Sequence, residues 1–261
     1  MATLVVDRMA IETEGEGDAV LMIHGLGGTS NVWVPVLPEF RRHRTIRPDL
    51  PGSGRSARVE GKLSIERFVQ AMQRVCGALR VERAHVVAHS MGTIVAMHLA
   101  VLAPGLVRSL ALFGPLLCPP DTARPPLRAR GAKAREGGEA AMQEIADQIV
   151  QSATASETRA RQPVTIALVR ESLMRQSPDG YARSCEALAD AEAADVSGLA
   201  CPTLLVTGDE DAIAPAQSVR MLGERIPGAR VEVFSRCGHW TTYERSEASA
   251  DVLRRFYAQR M

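Results

Sequence analysis

Short, continuous apolar runs recur along this 261-residue chain, with helical patterns between them. The clearest runs are "AVLMI" at 19–23, "AHVVAH" at 84–89 and "PTLLVTG" at 202–208. Because a strand that is covered on both faces has an unbroken apolar sequence, each run predicts a strand inside a parallel sheet. Repeats of strand, helix and strand require right-handed crossovers, so we expect an α/β fold with a mostly parallel sheet.

One long stretch interrupts this alternation. Between residues 118 and 195 the chain has almost no strand-like run and is rich in Ala, Glu, Gln and Arg, which favour helices. We therefore predict a helical lid (cap) over 118–195, inserted into a core formed by 1–117 and 196–261. With 46% hydrophobic residues, the chain can bury a core of this size.

Charge and cysteine usage exclude several classes of protein. The formal net charge is +1, so nothing global attracts nucleic acid or an anionic membrane surface. The five cysteines form no CxxC pair, which argues against a disulfide framework or a zinc site. Neither a signal peptide nor a membrane-spanning run is visible. We predict a cytoplasmic protein that uses no metal and no cofactor; whether it forms a homo-oligomer stays open.

Ser90 lies in "AHSMG", where a buried strand turns directly into a helix. Such a turn projects the hydroxyl outward, and the N-terminus of the helix directs free N–H groups at any anion formed there. Taken alone, a serine at this place is usually an N-cap. A catalytic role needs a neighbouring base and an acid that orients it, because a serine hydroxyl is a weak nucleophile near neutral pH.

Two loops that follow later strands supply a base and an acid. "LLVTGDEDAIAP" places Asp211 just beyond a buried strand, and the competing acid Asp209 has a simpler role as a helix cap. "SRCGHWTTYE" places His239 in a loop after the last strand. Since α/β proteins form their sites at the carboxyl edge of the sheet, we predict that Ser90, Asp211 and His239 converge there.

These motifs and their order resemble the α/β-hydrolase fold family, in its serine-nucleophile branch. "AHSMG" is similar to the family's G-x-S-x-G nucleophile elbow, with Ala88 in place of the first glycine. The resemblance implies a mostly parallel eight-stranded sheet flanked by helices, a helical lid, and a catalytic triad of Ser90, Asp211 and His239. It favours the second aspartate because the family's acid follows the glycine that ends this strand by three residues, here Gly208.

Two further elements complete the predicted site. "HGLGGT" follows a buried strand, and by resemblance to the family's oxyanion loop the N–H groups of Leu26 and Met91 stabilise the tetrahedral intermediate. Trp33 and Trp240 flank motif loops. They either line an apolar substrate pocket or pack in the core.

A second resemblance narrows the range of expected substrates. The stretch from the lid exit through the acid loop, residues 177–215, looks like that of 3-oxoadipate enol-lactonases, which open a small lactone bearing a carboxylate. Thr93 departs from the elbow of those enzymes, where a second glycine is common. Five basic lid residues, with no acid among them, either bind a substrate carboxylate or form a solvated face: Arg124, Arg128, Arg130, Lys133 and Arg135.

Two classes of function follow from the sequence. The first is a serine hydrolase that cleaves a carboxylic ester or lactone of a small molecule through an acyl-enzyme, with C–C bond hydrolysis of ring-cleavage products and perhydrolysis as alternatives. The second is a binding protein with the hydrolase fold that holds a small ligand without turnover. In either case we expect a small-molecule partner, and neither nucleic acid nor a membrane.

Overall fold

The computed structural model describes residues 2–56 and 60–258. Its eight strands form one sheet in the order β1-β2-β4-β3-β5-β6-β7-β8. The antiparallel pairs are β1 with β2 and β2 with β4, and the other pairs are parallel. The strands are β1 (Ala2–Val6), β2 (Met9–Glu14), β3 (Ala19–Ile23), β4 (Arg44–Pro48), β5 (Ala84–His89), β6 (Val107–Phe113), β7 (Thr203–Gly208) and β8 (Arg230–Phe234). The predicted eight-stranded, mostly parallel sheet is confirmed.

The central strands are apolar throughout because both faces of the sheet are covered. Side chains alternate between the faces, so Leu21 and Ile23 of β3 enter one apolar cluster, and Val20 and Met22 enter another. Every residue of β3 and β5 is buried. An unbroken apolar run is thus the expected sequence for these strands.

The helices begin and end where local signals place them. Helix α1 follows Ser64, whose hydroxyl accepts a hydrogen bond from the N–H of Arg67 at 3.3 Å, as the predicted N-cap requires. A 3-10 helix that contains Pro35 and Pro38 covers Ser30–Phe40. The α-helices are α1 (Ile65–Ala78), α2 (Met91–Leu102), α3 (Arg124–Ala153), α4 (Ser156–Arg161), α5 (Pro163–Met174), α6 (Pro178–Ala189), α7 (Ala216–Arg225), α8 (Thr241–Glu244) and α9 (Ser246–Ala258).

The chain between β6 and β7 is helical and contains no strand from residue 114 to 202, all of which the structure describes. Helices α3 to α6 lie here, and α3 is broken at Gly138, where φ is +61°. The boundaries of the predicted lid, 118–195, stay a prediction. Within residues 2–56 and 60–258, no helix is long and apolar enough to span a membrane.

Candidate active site

Ser90 occupies a strained turn between β5 and α2. Its φ of +52° and ψ of −124° are rare for a residue with a side chain and cost on the order of 1–3 kcal/mol. Hydrogen bonds on both sides hold the turn: the Ser90 N–H donates to the carbonyl of Phe113 at 2.9 Å, and its own carbonyl accepts from the N–H of Thr93 at 2.7 Å. The strain is therefore retained by the fold, as a nucleophile elbow requires.

Thr93 stabilises this turn, although enol-lactonases commonly have a glycine at that position. Its hydroxyl donates to the carbonyl of Ser90 at 2.6 Å and accepts from the N–H of Leu116 at 3.1 Å. The side chain thus links the Ser90 turn to the loop after β6. A glycine at this position could not make either bond.

The glycine-rich loop after β3 lies directly against the Ser90 turn. A Cβ atom on Gly25 would lie 2.7 Å from the Cβ of Ser90, so only glycine allows this approach. The buried ring of His24 shapes the loop: its Nδ1 bonds to the carbonyl of Gly25 at 2.8 Å, and its Nε2 accepts from the N–H of Leu50 at 2.8 Å. Burial lowers the pKa of His24, so the ring is neutral and can accept.

Asp211 orients the ring of His239. Its Oδ2 lies 2.8 Å from Nδ1 of His239, and its Oδ1 accepts from the N–H groups of Ile213 and Ala214 at 2.9 and 2.8 Å. Burial acts to raise the pKa of this carboxyl, but the charge of His239 and the hydrogen bonds outweigh it, and the pKa falls to about 2. Asp211 is therefore an anion that holds the Nδ1 proton of the imidazole.

The other ring nitrogen of His239, Nε2, is buried and has no hydrogen-bond partner in the structure as described. The backbone of the same residue is fixed twice: its N–H donates to the carbonyl of Ala153 at 2.9 Å, and its carbonyl accepts from Nε2 of His89 at 2.9 Å. Burial, together with the nearby charge of His239, lowers the pKa of His89 to about 3. The ring of His89 is thus a neutral support for His239.

Glu244 fastens the His239 loop to the helices inserted between β6 and β7. Its Oε2 accepts from the N–H groups of Ala155 at 2.7 Å and Gly238 at 3.1 Å, and its Oε1 accepts from the N–H of Trp240 at 3.1 Å. The hydroxyl of Thr158 donates to Oε2 as well, at 2.8 Å. Sequence reasoning missed Glu244. The available signal was an acid five residues beyond His239, within the same short motif.

A cavity of about 360 Å³ opens between the carboxyl edge of the sheet and the inserted helices. Ser90 and His239 both line it, and so do Leu26 and Trp240. The volume suits a small organic molecule, and most of the lining is apolar. Its other lining residues are His89, Leu116, Pro119, Pro120, Ala123, Pro126, Leu127, Arg130, Ile149, Ala153, Leu173, Tyr181, Leu188, Ala212 and Ile213.

A sequence comparison decides the family. The profile described as the alpha/beta hydrolase family matches residues 20–252, which is most of the chain. This chain belongs to the α/β hydrolase family. A 2-hydroxymuconate semialdehyde hydrolase from Pseudomonas putida is 31% identical to this hydrolase over 264 residues, which cover 97% of the present chain and 91% of that protein.

Solved structures agree with this hydrolase in fold. A thermophilic esterase from Thermogutta terrifontis, determined with malate bound, superposes with a TM-score of 0.91 at 23% identity and covers 99% of this chain and 98% of its own. The enol-lactonase from Burkholderia xenovorans LB400 has a TM-score of 0.89 at 24% identity, with coverage of 98% and 100%. At this level of identity the likeness shows the fold alone.

The hydrolase brings some predicted site residues together and separates others. The N–H groups of Leu26 and Met91 have no hydrogen-bond acceptor among the described residues, so both are free to bind an anion. Trp240 lines the cavity, whereas Trp33 does not. Trp33 is fully buried in the core, with its ring edge-on to Phe113 at 6.3 Å. Of the two alternatives for Trp33, the structure therefore supports core packing and not the substrate pocket.

Asp209 is not a helix cap in this hydrolase. Its Oδ1 accepts from the N–H of Cys237 at 3.1 Å and so joins the loop after β7 to the loop after β8. No group of three or more His, Cys, Asp or Glu side chains among residues 2–56 and 60–258 is arranged to hold a metal ion.

Proposed function

We propose that this hydrolase cleaves a carboxylic ester or lactone of a small molecule, with Ser90 as nucleophile, His239 as base and Asp211 as the acid that orients the base. The observation that carries the proposal is the ring of His239. Its Nδ1 is engaged by a buried carboxylate at 2.8 Å, and its Nε2 is unpaired at the wall of the cavity that Ser90 also lines. That is the tautomer a general base needs.

The reaction proceeds in two halves. Oγ of Ser90 attacks the carbonyl carbon while its proton moves to Nε2 of His239, and the carbonyl electron pair moves to oxygen. The N–H groups of Leu26 and Met91 stabilise that oxyanion. When it collapses, the alcohol leaves with the proton from His239, and the acyl group stays on Ser90. Water then gives a proton to His239 and attacks the acyl carbon. When this second oxyanion collapses, the bond to Oγ of Ser90 breaks, Oγ takes the proton from His239, and the acid is released.

Preorganisation supports this role for the loops. The loops that carry the N–H groups of Leu26 and Met91 are held by hydrogen bonds, at the His24 ring in the first and at the backbone of Ser90 in the second. Removal of one such donor in other enzymes costs about 3–4 kcal/mol of transition-state stabilisation. Asp211 stabilises the imidazolium that forms on His239 during each half of the reaction.

A second candidate is hydrolysis of a carbon–carbon bond in a ring-cleavage product. The observation that favours it is the 31% identity to the 2-hydroxymuconate semialdehyde hydrolase from Pseudomonas putida. Rates with that semialdehyde, measured beside the ester and lactone panel below, decide between the two. If kcat/KM for the semialdehyde is a hundredfold higher than kcat/KM for every ester and lactone, then carbon–carbon hydrolysis replaces ester hydrolysis as the proposed function.

The test is a panel of p-nitrophenyl esters and small lactones assayed with wild type, Ser90→Ala, His239→Ala and the double variant. We expect each single variant to lose at least about a thousandfold in kcat, and the double variant to be little worse, because the two side chains act as one unit. Ser197→Ala, at an exposed turn far along the chain, is the matched control and should keep the wild-type rate. Additive losses, or ligand binding without turnover, would contradict the proposal.

A further inference from the structure

Four of the five basic residues in the first part of α3 have acidic partners outside the cavity. Arg128 pairs with Asp190 at 2.5 Å, and Lys133 pairs with Glu144 at 2.7 Å. Arg124 pairs with Asp121, and Arg135 pairs with Glu186 and Asp179. These four residues belong to a partly solvated surface, where ion pairs contribute little to stability.

Arg130 differs from these four residues because its side chain lies on the side of α3 that faces the cavity. It shares the inward face of α3 with Leu127 and Ala134, which are three residues before it and four after it. Its side chain lines the cavity that holds Ser90 and His239. Within residues 2–56 and 60–258 it forms no ion pair, and its Nε is buried without a hydrogen-bond acceptor.

The groups beside the Arg130 guanidinium do not neutralise it. Its nearest polar neighbours are the hydroxyl of Tyr181 and the thiol of Cys185. Burial raises the pKa of both groups, and this effect exceeds the opposing influence of the arginine, so both are uncharged near neutral pH. The other polar lining residues are Ser90, His89 and His239. Among the described residues that line this mostly apolar cavity, the guanidinium therefore meets no carboxylate.

We propose that Arg130 binds a carboxylate on the substrate, so that the natural substrate is an ester or lactone bearing one free carboxylate. This inference rests on the proposed function, because it assigns the charge of the substrate which Ser90 attacks. A guanidinium whose neighbours are the neutral side chains of Cys185 and Tyr181 has no anionic partner among the described residues, and a carboxylate on the ligand supplies one through charge-assisted hydrogen bonds. A single cationic side chain among the described lining residues suits a single negative charge better than a phosphate dianion.

Matched esters test the assignment. Mono-p-nitrophenyl succinate, glutarate and adipate are compared with p-nitrophenyl butyrate, pentanoate and hexanoate, so that each pair differs by one carboxylate. We expect wild type to prefer the charged ester, measured as a ratio of kcat/KM values, for at least one chain length. Arg130→Gln should lower that ratio at least tenfold, Arg130→Lys should retain part of it, and Arg128→Gln, on the outer face of the same helix, should leave it unchanged.

A binding measurement separates this inference from the proposed function. In a Ser90→Ala background, calorimetry with glutarate should give a Kd at least tenfold weaker when Arg130→Gln is added, and an unchanged Kd when Arg128→Gln is added. If no ester is hydrolysed, the proposed function fails, and glutarate binding still decides the role of Arg130. Wild-type protein without any preference for charged esters, together with no glutarate binding to Ser90→Ala, would overturn the inference even if Arg130→Gln does not fold.

Discussion

The two walls of the cavity are built on different principles. The wall at the sheet edge contains Ser90 and His239, whose backbones are held by hydrogen bonds at both the N–H and the carbonyl, and Asp211 behind this wall fixes the ring of His239. The wall formed by the inserted helices is mostly apolar, and among the described residues Arg130 is the one charged side chain that lines it. Under the proposed function, the first wall holds the reacting side chains and the second wall selects the substrate.

The two walls also differ in how tightly the surrounding residues hold a strained backbone. The Ser90 turn has a positive φ and bonds to neighbouring loops on both sides, whereas the break in α3 at Gly138 has a positive φ with open space around it. Changes of similar size should therefore affect activity when made in the sheet-edge wall and affect chiefly selectivity or stability when made in the helical wall.

The largest effect is expected for Asp211→Asn. The variant keeps the shape of the side chain but removes the charge that stabilises the imidazolium of His239, and kcat should fall by about 10³–10⁴. Steady-state assays with the best ester measure it. Asp209→Asn retains an acceptor oxygen for the Cys237 N–H and is the matched control, with activity within about fivefold of wild type. Equal losses in the two variants would remove the distinction between the acids.

The next effect is expected for Gly114→Ala. Its φ is +55°, and the added Cβ would lie 2.8 Å from Cε1 of His239, so the ring must move. A displacement of this kind costs about a hundredfold in kcat/KM. Gly138→Ala introduces the same backbone strain at φ +61° with nothing within 4 Å. Thermal unfolding should show a loss of stability in both variants, whereas kinetic assays should show a loss of activity in Gly114→Ala alone.

The joint between the walls is tested by Glu244→Gln. An amide replaces one carboxylate oxygen with a donor, which then faces a backbone N–H, so urea unfolding should show a loss of about 1–3 kcal/mol. Glu210→Gln is the control, because Glu210 also accepts from the inserted helices, at the N–H of Ser156, but is exposed. If Glu210→Gln lowers the free energy of unfolding by as much as Glu244→Gln, then the burial of Glu244 does not make its hydrogen bonds more important for stability.

The last prediction concerns the dependence of stability on pH. His89 has a folded-state pKa of about 3, below its ordinary value near 6.5, so between these values the unfolded chain binds a proton that the folded protein does not. Stability should therefore fall as pH drops from 6.5 toward 3, by up to about 1.4 kcal/mol per pH unit from this group. His89→Asn should flatten that part of the urea-unfolding profile. A profile with the wild-type slope would show that the pKa of His89 is not lowered in the folded protein.

The sheet-edge wall could be predicted from the sequence because each of its parts leaves a local signal. A buried strand followed by a small residue and a serine predicts the Ser90 turn, and the loops with Asp211 and His239 follow two further strands in the expected order. The same reasoning placed Trp33 at the pocket as one of two interpretations, although its indole lies fully in the core. Flanking a motif loop does not say which face of the sheet a side chain reaches.

The helical wall could not be predicted in the same way. The sequence does not distinguish the five basic residues between 124 and 135. Four of them have acidic partners that lie as far along the chain as Asp190, and only the folded structure shows that Arg130 has none among the described residues. The spacing from Leu127 and Ala134 to Arg130 was a usable signal, because it places all three on one helix face. Glu244 was missed since its four donors come from two segments that are distant in sequence.

Labelling with a fluorophosphonate tests whether Nε2 of His239 activates the hydroxyl of Ser90. We expect one covalent adduct, located by peptide mass spectrometry on Ser90, absent from Ser90→Ala and formed at least about a thousandfold more slowly in His239→Ala. An adduct on another residue, or equal labelling rates in wild type and His239→Ala, would contradict it.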